Sequence, residues 1–388
     1  MTRPPVPDAR EYGKVFDEIA AEYDRIRPVY PGELVDQACQ VAGIGPGDQV
    51  LEIGCGSGQL TRSLAARALH VTALEPGPNL IALARQNLAG AAAVEFMNAR
   101  FEDAACPRAY FRAVFSASAL HWVDPKVSWL KIADVLAPGG TLALISYFGL
   151  AEQRRKHDQE AVLAALSKVA PDIAADWPAY RDLDATLAGV KQRRANVSAA
   201  WAWLGSYDVA QDYAGRLFTD VQVAVVPKLI EQTAAGLNAV MRTMSFYARL
   251  SPDQRQALEH ETAVIYERLG RPIRASTVTA LVTARRAHLP RPVSAVPGLT
   301  RRLPGHRPAA LDDLRPGGRR WIPVTRTARP HGYAAGCGPA QASSLAFSRS
   351  NSAAVMTPRS RRSASLASWS AVFPEPAASW TYSRNCCS

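Results

Sequence analysis

Three glycines at alternate positions, Gly54, Gly56 and Gly58, follow an apolar run and a carboxylate, Glu52, in the stretch VLEIGCGSG. Glycines so spaced let a backbone approach a ligand closely, whether or not that ligand carries a phosphate. The dinucleotide fingerprint needs its third glycine one residue later, where this chain has Gln59. Glu52 would sit poorly beside a pyrophosphate and suits a cationic ligand. A second carboxylate, Glu75, closes the stretch VTALEP, about 20 residues beyond the first glycine, where an acid can grip both hydroxyls of a ribose. Glycine loop, nearby carboxylate and ribose-binding acid together point to an adenosyl ligand bearing positive charge. His121, in SALHWVDP, is open to three roles: general base, contact to substrate or cofactor, or a structural histidine bonded to backbone. Cys55 has no activating base beside it and reads as a small filler of the loop rather than a nucleophile.

The elements that position these residues are legible as periodicities. Residues 11–42 read as two helices, with Val15, Ile19 and Tyr23 on one face of the first and Pro31 at the start of the second. Strand and helix patterns then alternate. Strands are expected at 49–53, 70–75, 93–98, 112–119 and 141–147, and helices at 58–68, 79–88 and 126–136, the last capped by Asp124 and Pro125. Such βα repeats predict an α/β fold: a doubly wound parallel sheet with helices on both faces. The glycine loop then lies outside the carboxyl ends of the strands, where such sheets bind ligands. From about Leu150 the alternation stops. Residues 151–210 are helix-prone and hold Trp177, Trp201 and Trp203, which can line a pocket but more often form core. LFTDVQVAVV reads as a strand, Lys228–Leu250 and Pro252–Leu269 as helices with Ser251 capping the second, and TVTALVTAR as a last strand. The expected organisation is a helical lid over 1–45, a ligand-binding core over 46–150, and a helical insertion with the final strands over 151–289.

The remaining residues, 290–388, differ in kind. The formal charge of the chain is +11, and from Arg291 onward there are 14 arginines, no lysine and 3 acids, so the tail carries the whole excess and the preceding body is neutral. Rich in Arg, Pro, Ser, Ala and Gly, this segment lacks the apolar surface to offset its chain entropy and reads as disordered. Two origins fit: a genuine extension, or out-of-frame translation of a GC-rich stretch. Six cysteines show no metal or disulfide spacing, so no metal is expected. Neither a signal-peptide pattern nor a run of about 18 apolar residues is present, so the expectation is a cytoplasmic protein without membrane partners.

The stretches VLEIGCGSG, VTALEP, SASALHWVDP and LAPGGTLAL, in that order and spacing, resemble the class I S-adenosylmethionine-dependent methyltransferases, whose sheet is Rossmann-like. FDEIAAEYDRIRPVYPGEL and TMSFYARLSPDQRQALEHETAVIYERLG look like a small-molecule branch, similar to trans-aconitate methyltransferase and related bacterial enzymes of the type 11 group. The resemblance covers residues 11–289. It implies S-adenosylmethionine as cofactor, with Glu52, Gly54, Cys55, Gly56 and Gly58 near the methionine portion, Glu75 and Pro76 at the ribose, and Phe101, Glu102 and Ala117 around the adenine. Tyr23, Arg27, Tyr30 and Trp122 would face the substrate, the first three from a segment that closes over the cofactor; a solvated helix-end arginine is the equal alternative for Arg27. The sequence departs from the family's pattern in Arg112, where an acid usually begins the fourth strand, and in Arg100, where an acid commonly meets the adenine amino group.

Methyl transfer from a sulfonium is an in-line displacement, in which the protein chiefly aligns the reactants and excludes water. The expected reaction is transfer to a hydroxyl, carboxylate or carbon of a small molecule. The alternatives are a nucleic-acid methyltransferase and a catalytically impaired protein that only binds the cofactor. A neutral body disfavours the first, leaving nucleic acid to nonspecific contact through the arginine tail; Arg100 and Arg112 keep the second open. Oligomeric state is not readable from these residues.

Overall fold

The computed structural model describes residues 16–27, 29–177 and 180–288, so the tail from 290 lies outside the described residues. Seven strands, β1 (Gln49–Ile53), β2 (His70–Leu74), β3 (Val94–Met97), β4 (Phe111–Ala117), β5 (Leu136–Gly149), β6 (Phe218–Gln232) and β7 (Ile273–Arg286), form one sheet in the order β3-β2-β1-β4-β5-β7-β6. β1 to β5 run parallel. β7 is antiparallel to β5, and β6 is antiparallel to β7, with Gln232 and Ile273 facing each other at the end of that ladder. Strand order reverses between β1 and β4, so their carboxyl ends open the crevice that takes a ligand in such sheets. Gly54 follows one of these strands and Ser118 the other.

Burial on both faces explains the nearly unbroken apolar runs of β1 and β4. On one face Trp129 and Ile132 pack with Val190, Trp201 and Leu204 of the insertion. On the other, Leu34, Val35 and Ala38 pack with Leu60 and Leu64. A third cluster, containing Leu166, Met241, Phe246, Leu258 and Ile265, lies within the late helices. Helix starts follow local chemistry. Asp124 accepts from Lys126 N–H and Pro125 opens helix Pro125–Val135. Ser251 and Gln254 make a reciprocal capping box for helix Pro252–Leu269, which ends at Gly270 in the left-handed region.

Two expectations are corrected. Lys228–Leu250 is not one helix: residues 228–232 continue β6 against Thr277–Ile273, and helices Ala234–Arg242 and Ser245–Ala248 follow. The backbone of Lys228–Gln232 is satisfied by the neighbouring strand, and Thr233, accepting from Gly236 N–H, sets the true helix start. The parallel sheet is also mixed at its late edge. The earlier strand and helix expectations stand within a few residues, and the 151–210 region contains helices Lys156–Val169, Pro171–Ala175, Leu183–Arg193 and Val197–Gly205.

Candidate active site

A cavity of about 1110 Å³ opens at the carboxyl ends of β1 and β4. Its size is just above the roughly 300–1,000 Å³ of a site for one small ligand, leaving room for two reactants. Gly54, Gly56, Glu75, Phe101 and Glu102 wall one end. Arg27, His121, Tyr147, Trp177, Tyr207 and Phe246 wall the other.

Glu75 organises the first end. Its Oε2 accepts from Gly56 N–H and its Oε1 from Gly77 N–H, both at 2.9 Å. Asn98 Nδ2 donates to the carbonyls of Glu75 and Pro76 at 2.8 and 3.0 Å, fixing the turn after β2. Burial raises the Glu75 pKa, and the two N–H donors oppose that shift. The three glycines have three different reasons. A Cβ on Gly54 would lie 2.3 Å from Ala119 Cβ, and one on Gly58 2.6 Å from Leu88 Cδ1, whereas one on Gly56 would meet nothing nearer than 3.9 Å. Gly54 and Gly58 therefore permit packing, and Gly56 presents its N–H to Glu75 beside open space. All three have φ in the left-handed region.

Glu52 lies behind the loop rather than on the cavity wall; it is 1% exposed, and burial pushes its pKa up to about 7. Cys55 is also buried there, and desolvation drives its thiol well above the ordinary value, so it offers no thiolate. Gly58 faces helix Pro78–Asn87, away from the cavity. Pro76 and Ala117 are on the wall. Glu102 accepts from Arg100 at 3.0 Å and from Asp124 N–H at 3.2 Å, and Lys131 donates to the carbonyls of Glu102 and Ala104 in the same turn. Arg100 is thus paired with Glu102. Arg112 is remote: at the start of β4, it reaches Gly43 O and Asp48, beyond the opposite ends of the strands. That residue therefore cannot impair the crevice, which removes one of the two reasons for suspecting a broken site.

At the second end, Tyr23 lies under the Arg27 guanidinium, with 5.2 Å from its Cζ to the ring centroid. Arg27 donates to Thr243 O, and among the described residues it makes no ion pair. Tyr30 lies just below the wall, stacked on Tyr147 at 5.2 Å and donating to Ser118 Oγ at 3.2 Å. Trp122 is on the wall, edge-on to Phe16 at 5.8 Å. His121 stacks on Tyr207 with centroids 4.2 Å apart and planes 4° from parallel. Burial, with the Arg27 charge adding, lowers its pKa to about 3. The ring is therefore held neutral in this structure. Of the three tryptophans, Trp177 reaches the cavity and Trp201 is core, while Trp203 lies between the guanidinium groups of Arg181 and Arg193.

Sequence reasoning missed Ser118, Ser146, Tyr147 and Tyr207. The rule that ligands bind at strand carboxyl ends would have found the first three, since they end β4 and β5. Tyr207 comes from the insertion and carries no motif.

The residues fit an adenosyl sulfonium. Gly56 gives backbone access where a Cβ would meet nothing nearer than 3.9 Å, Glu75 brings a carboxylate to the wall, and among the described residues Arg100 is the cation at that end, paired with Glu102. Residues 51–144, which hold β1, the glycine loop, Glu75, Phe101 and His121, match the methyltransferase domain family. An uncharacterised methyltransferase of Mycobacterium tuberculosis is 34% identical over 136 residues, covering 35% of this chain and 53% of the relative. A demethylmenaquinone methyltransferase of Clavibacter sepedonicus is 30% identical over 139 residues, covering 34% and 56%. A solved phosphoethanolamine N-methyltransferase of Haemonchus contortus, with S-adenosylhomocysteine bound, is 16% identical with a TM-score of 0.38, covering 72% of this chain and 61% of that one. The chain spans about half the length of the curated relatives it matches. With the glycine loop, Glu75 and the sheet order so placed, residues 51–144 carry a class I S-adenosylmethionine-dependent methyltransferase domain.

Proposed function

We propose that the protein transfers a methyl group from S-adenosylmethionine to a small-molecule acceptor. The observation that carries this reading is the single cavity running from the glycine loop and Glu75 to the aromatic wall of the insertion. When bound, the cofactor supplies a methyl group already activated on a sulfonium. Glu75 holds the ribose hydroxyls, Phe101 flanks the adenine, and Glu102 lies beside it. Gly54 and Gly56 give the methionine portion close backbone contact.

The other end aligns the acceptor and keeps water out. Trp177 and Phe246, with rings 5.2 Å apart, offer an apolar flank. Arg27 places positive charge beside the tyrosine cluster, which favours an acceptor carrying negative charge or a polarised oxygen. His121 contributes as a neutral hydrogen-bonding ring. A cytoplasmic location and a small-molecule partner belong to the same reading.

The test is calorimetric titration of the full chain with S-adenosylmethionine, S-adenosylhomocysteine and NAD, followed by transfer of labelled methyl to a panel of small acids, phenols and amines. Micromolar binding of both adenosyl ligands, weakened by Glu75→Ala and absent for NAD, is expected. A folded chain that binds neither adenosyl ligand would overturn the reading.

A further inference from the structure

The acceptor end contains a chain of hydroxyls that no motif announces. Tyr30 OH donates to Ser118 Oγ at 3.2 Å, Ser118 Oγ lies 3.2 Å from Ser146 Oγ, and Ser146 Oγ lies 3.4 Å from Tyr207 OH. The chain crosses from the N-terminal segment, over the carboxyl ends of β4 and β5, to the insertion. At its far end the Tyr207 ring covers one face of His121.

The insertion spends backbone strain to put Tyr207 there. Ser206 has φ 54°, in the left-handed region that a side-chain-bearing residue rarely adopts, and Ser118 at the middle of the hydroxyl chain has the same φ. A Cβ on Gly205 would lie 2.0 Å from the Tyr207 ring, so only glycine lets the ring fold back over the turn. Arg181 braces the same turn, donating to Trp203 O at 2.8 Å and Ser206 Oγ at 3.3 Å. Trp201 and Phe148 hold the ring from behind, at 5.9 and 6.3 Å. Tyr207 is therefore fixed on four sides, and its front is the imidazole.

We propose that Tyr207 is a positioning residue: it shields one face of His121 from water and holds the ring flat on the cavity wall, so that the acceptor meets an imidazole whose plane the insertion sets. This rests on the methyl-transfer reading of the pocket. His121 Nδ1 is buried without a hydrogen-bond partner, as expected of a ring held by stacking rather than by polar contacts. The charged group bearing on the ring is Arg27, and it acts in the same direction as burial. Tyr207, from the insertion, stays protonated because burial raises its own pKa. Trp122, from the adjoining turn, is uncharged. Trp201 and Phe148 hold the ring of Tyr207, the hydroxyl chain ends on its OH, and the ring sets the plane of His121.

The experiment uses the full chain with ¹⁵N-labelled histidine rings, followed by NMR between about pH 5 and 8, with the His121 signal identified by its loss in His121→Gln. In the wild type and in Tyr207→Phe, which keeps the ring, the His121 signal is expected not to titrate. In Tyr207→Ala it is expected to titrate with a midpoint near the ordinary value of about 6.5. If Tyr207→Ala does not fold, Gly205→Ala displaces the ring without deleting it and gives the same readout. A His121 signal that stays flat in whichever of these variants folds would overturn the proposal, because the ring would then be kept dry by something else. S-adenosylhomocysteine affinity, measured in parallel, is expected to change less than about threefold in Tyr207→Ala. Failure of the wild type to bind that ligand would defeat the methyl-transfer reading and leave the titration result to stand or fall separately.

Discussion

The Asp17 carboxylate caps a helix that it does not belong to: its Oδ1 accepts from the N–H groups of Asn79 and Leu80, each at 2.8 Å, across 62 and 63 residues of chain. Helix Pro78–Asn87 has glycine at its own N-cap position and no side chain there to do this. The N-terminal segment is thus pinned over the cavity by the orphan donors of a helix start. Its other end is held by the Glu22–Arg242 pair and by Arg27 on Thr243 O. Asp17→Ala is expected to remove about 1 kcal/mol of capping and to speed release of S-adenosylhomocysteine several-fold in stopped-flow fluorescence. Asp17→Asn should fall between, because its oxygen still accepts while the charge facing the helix dipole is gone. Release at the wild-type rate in both variants would show that the segment does not gate the cavity.

Glu75→Gln tests cofactor binding and the loop ties together. The carboxylate is 7% exposed and desolvation raises its pKa, so neutralising it does not cost the fold its charge solvation. Loss of a charge-assisted hydrogen bond to the ribose should remove about 2 kcal/mol, or roughly 30-fold in cofactor affinity. Calorimetry should show this loss together with a modest fall in melting temperature, because the new NH2 group faces the N–H of Gly56 or Gly77 where a carboxylate oxygen accepted. Unchanged cofactor affinity would mean that Glu75 serves the loop alone.

The glycines should respond in three ways when each is changed to alanine. Gly54→Ala forces Ala119 aside and so disturbs the turn that carries His121 and Trp122. It should weaken cofactor binding and lower stability together. Gly58→Ala meets the movable end of Leu88 and should cost mainly stability, on the order of 1–2 kcal/mol from its positive φ. Gly56→Ala has room for its methyl group but points it toward Tyr23, so affinity should fall by more than strain alone explains. Melting curves and S-adenosylhomocysteine titrations of the three proteins make the comparison; identical profiles would contradict it.

Glu52 predicts a pH dependence of stability. Its pKa stands at about 7 in the folded chain, against 4.5 for an unperturbed glutamate, because burial disfavours the charged form. The folded state therefore holds a proton that the unfolded state releases between these values. The stabilisation is present in full below about pH 4.5 and lost as pH rises to about 7, on the order of 3 kcal/mol in all. Glu52→Gln should flatten that slope and be the more stable protein near pH 8. Urea midpoints at about pH 5 and pH 8 decide it: an equal slope in both proteins would mean that Glu52 is charged in the fold.

The central strands β1 and β4 were legible because they are buried on both faces and read as short apolar runs, and Asp124, Ser251 and Gly270 mark helix ends by local chemistry. β6 was cut short because Pro227 and the mixed sequence after it are held by the ladder to β7, and the partner of a strand is not written in the strand. The direction of β7 was illegible for the same reason. In the site, Gly54, Gly56 and Glu75 could be read because their spacing follows one strand and its loop. Arg112 was misjudged because sequence offset does not say which end of a strand faces the ligand. Tyr207 could not be read at all, since it meets His121 through a strained turn 86 residues away in a segment without motif.

Gln232 and Ile273 are ladder partners, so segment 233–272 leaves the sheet and returns to it at one point. The segment between β5 and β6 is different: it departs beyond Gly149 and re-enters at Phe218, opposite Arg286, at the far end of the strands. The latter must cross the whole sheet and is part of its scaffold. The former is a cassette. Another segment of different length could replace it without moving a strand, because closing a longer loop adds little entropy cost. The cassette brings Met244 and Phe246 to the acceptor wall and leaves the glycine loop and Glu75 untouched. A replacement would also have to restore what this segment gives the rest of the chain: the Arg242 and Thr243 ties to the N-terminal segment, the Arg271 partner of buried Asp158, and the packing against Leu166 and Ile173.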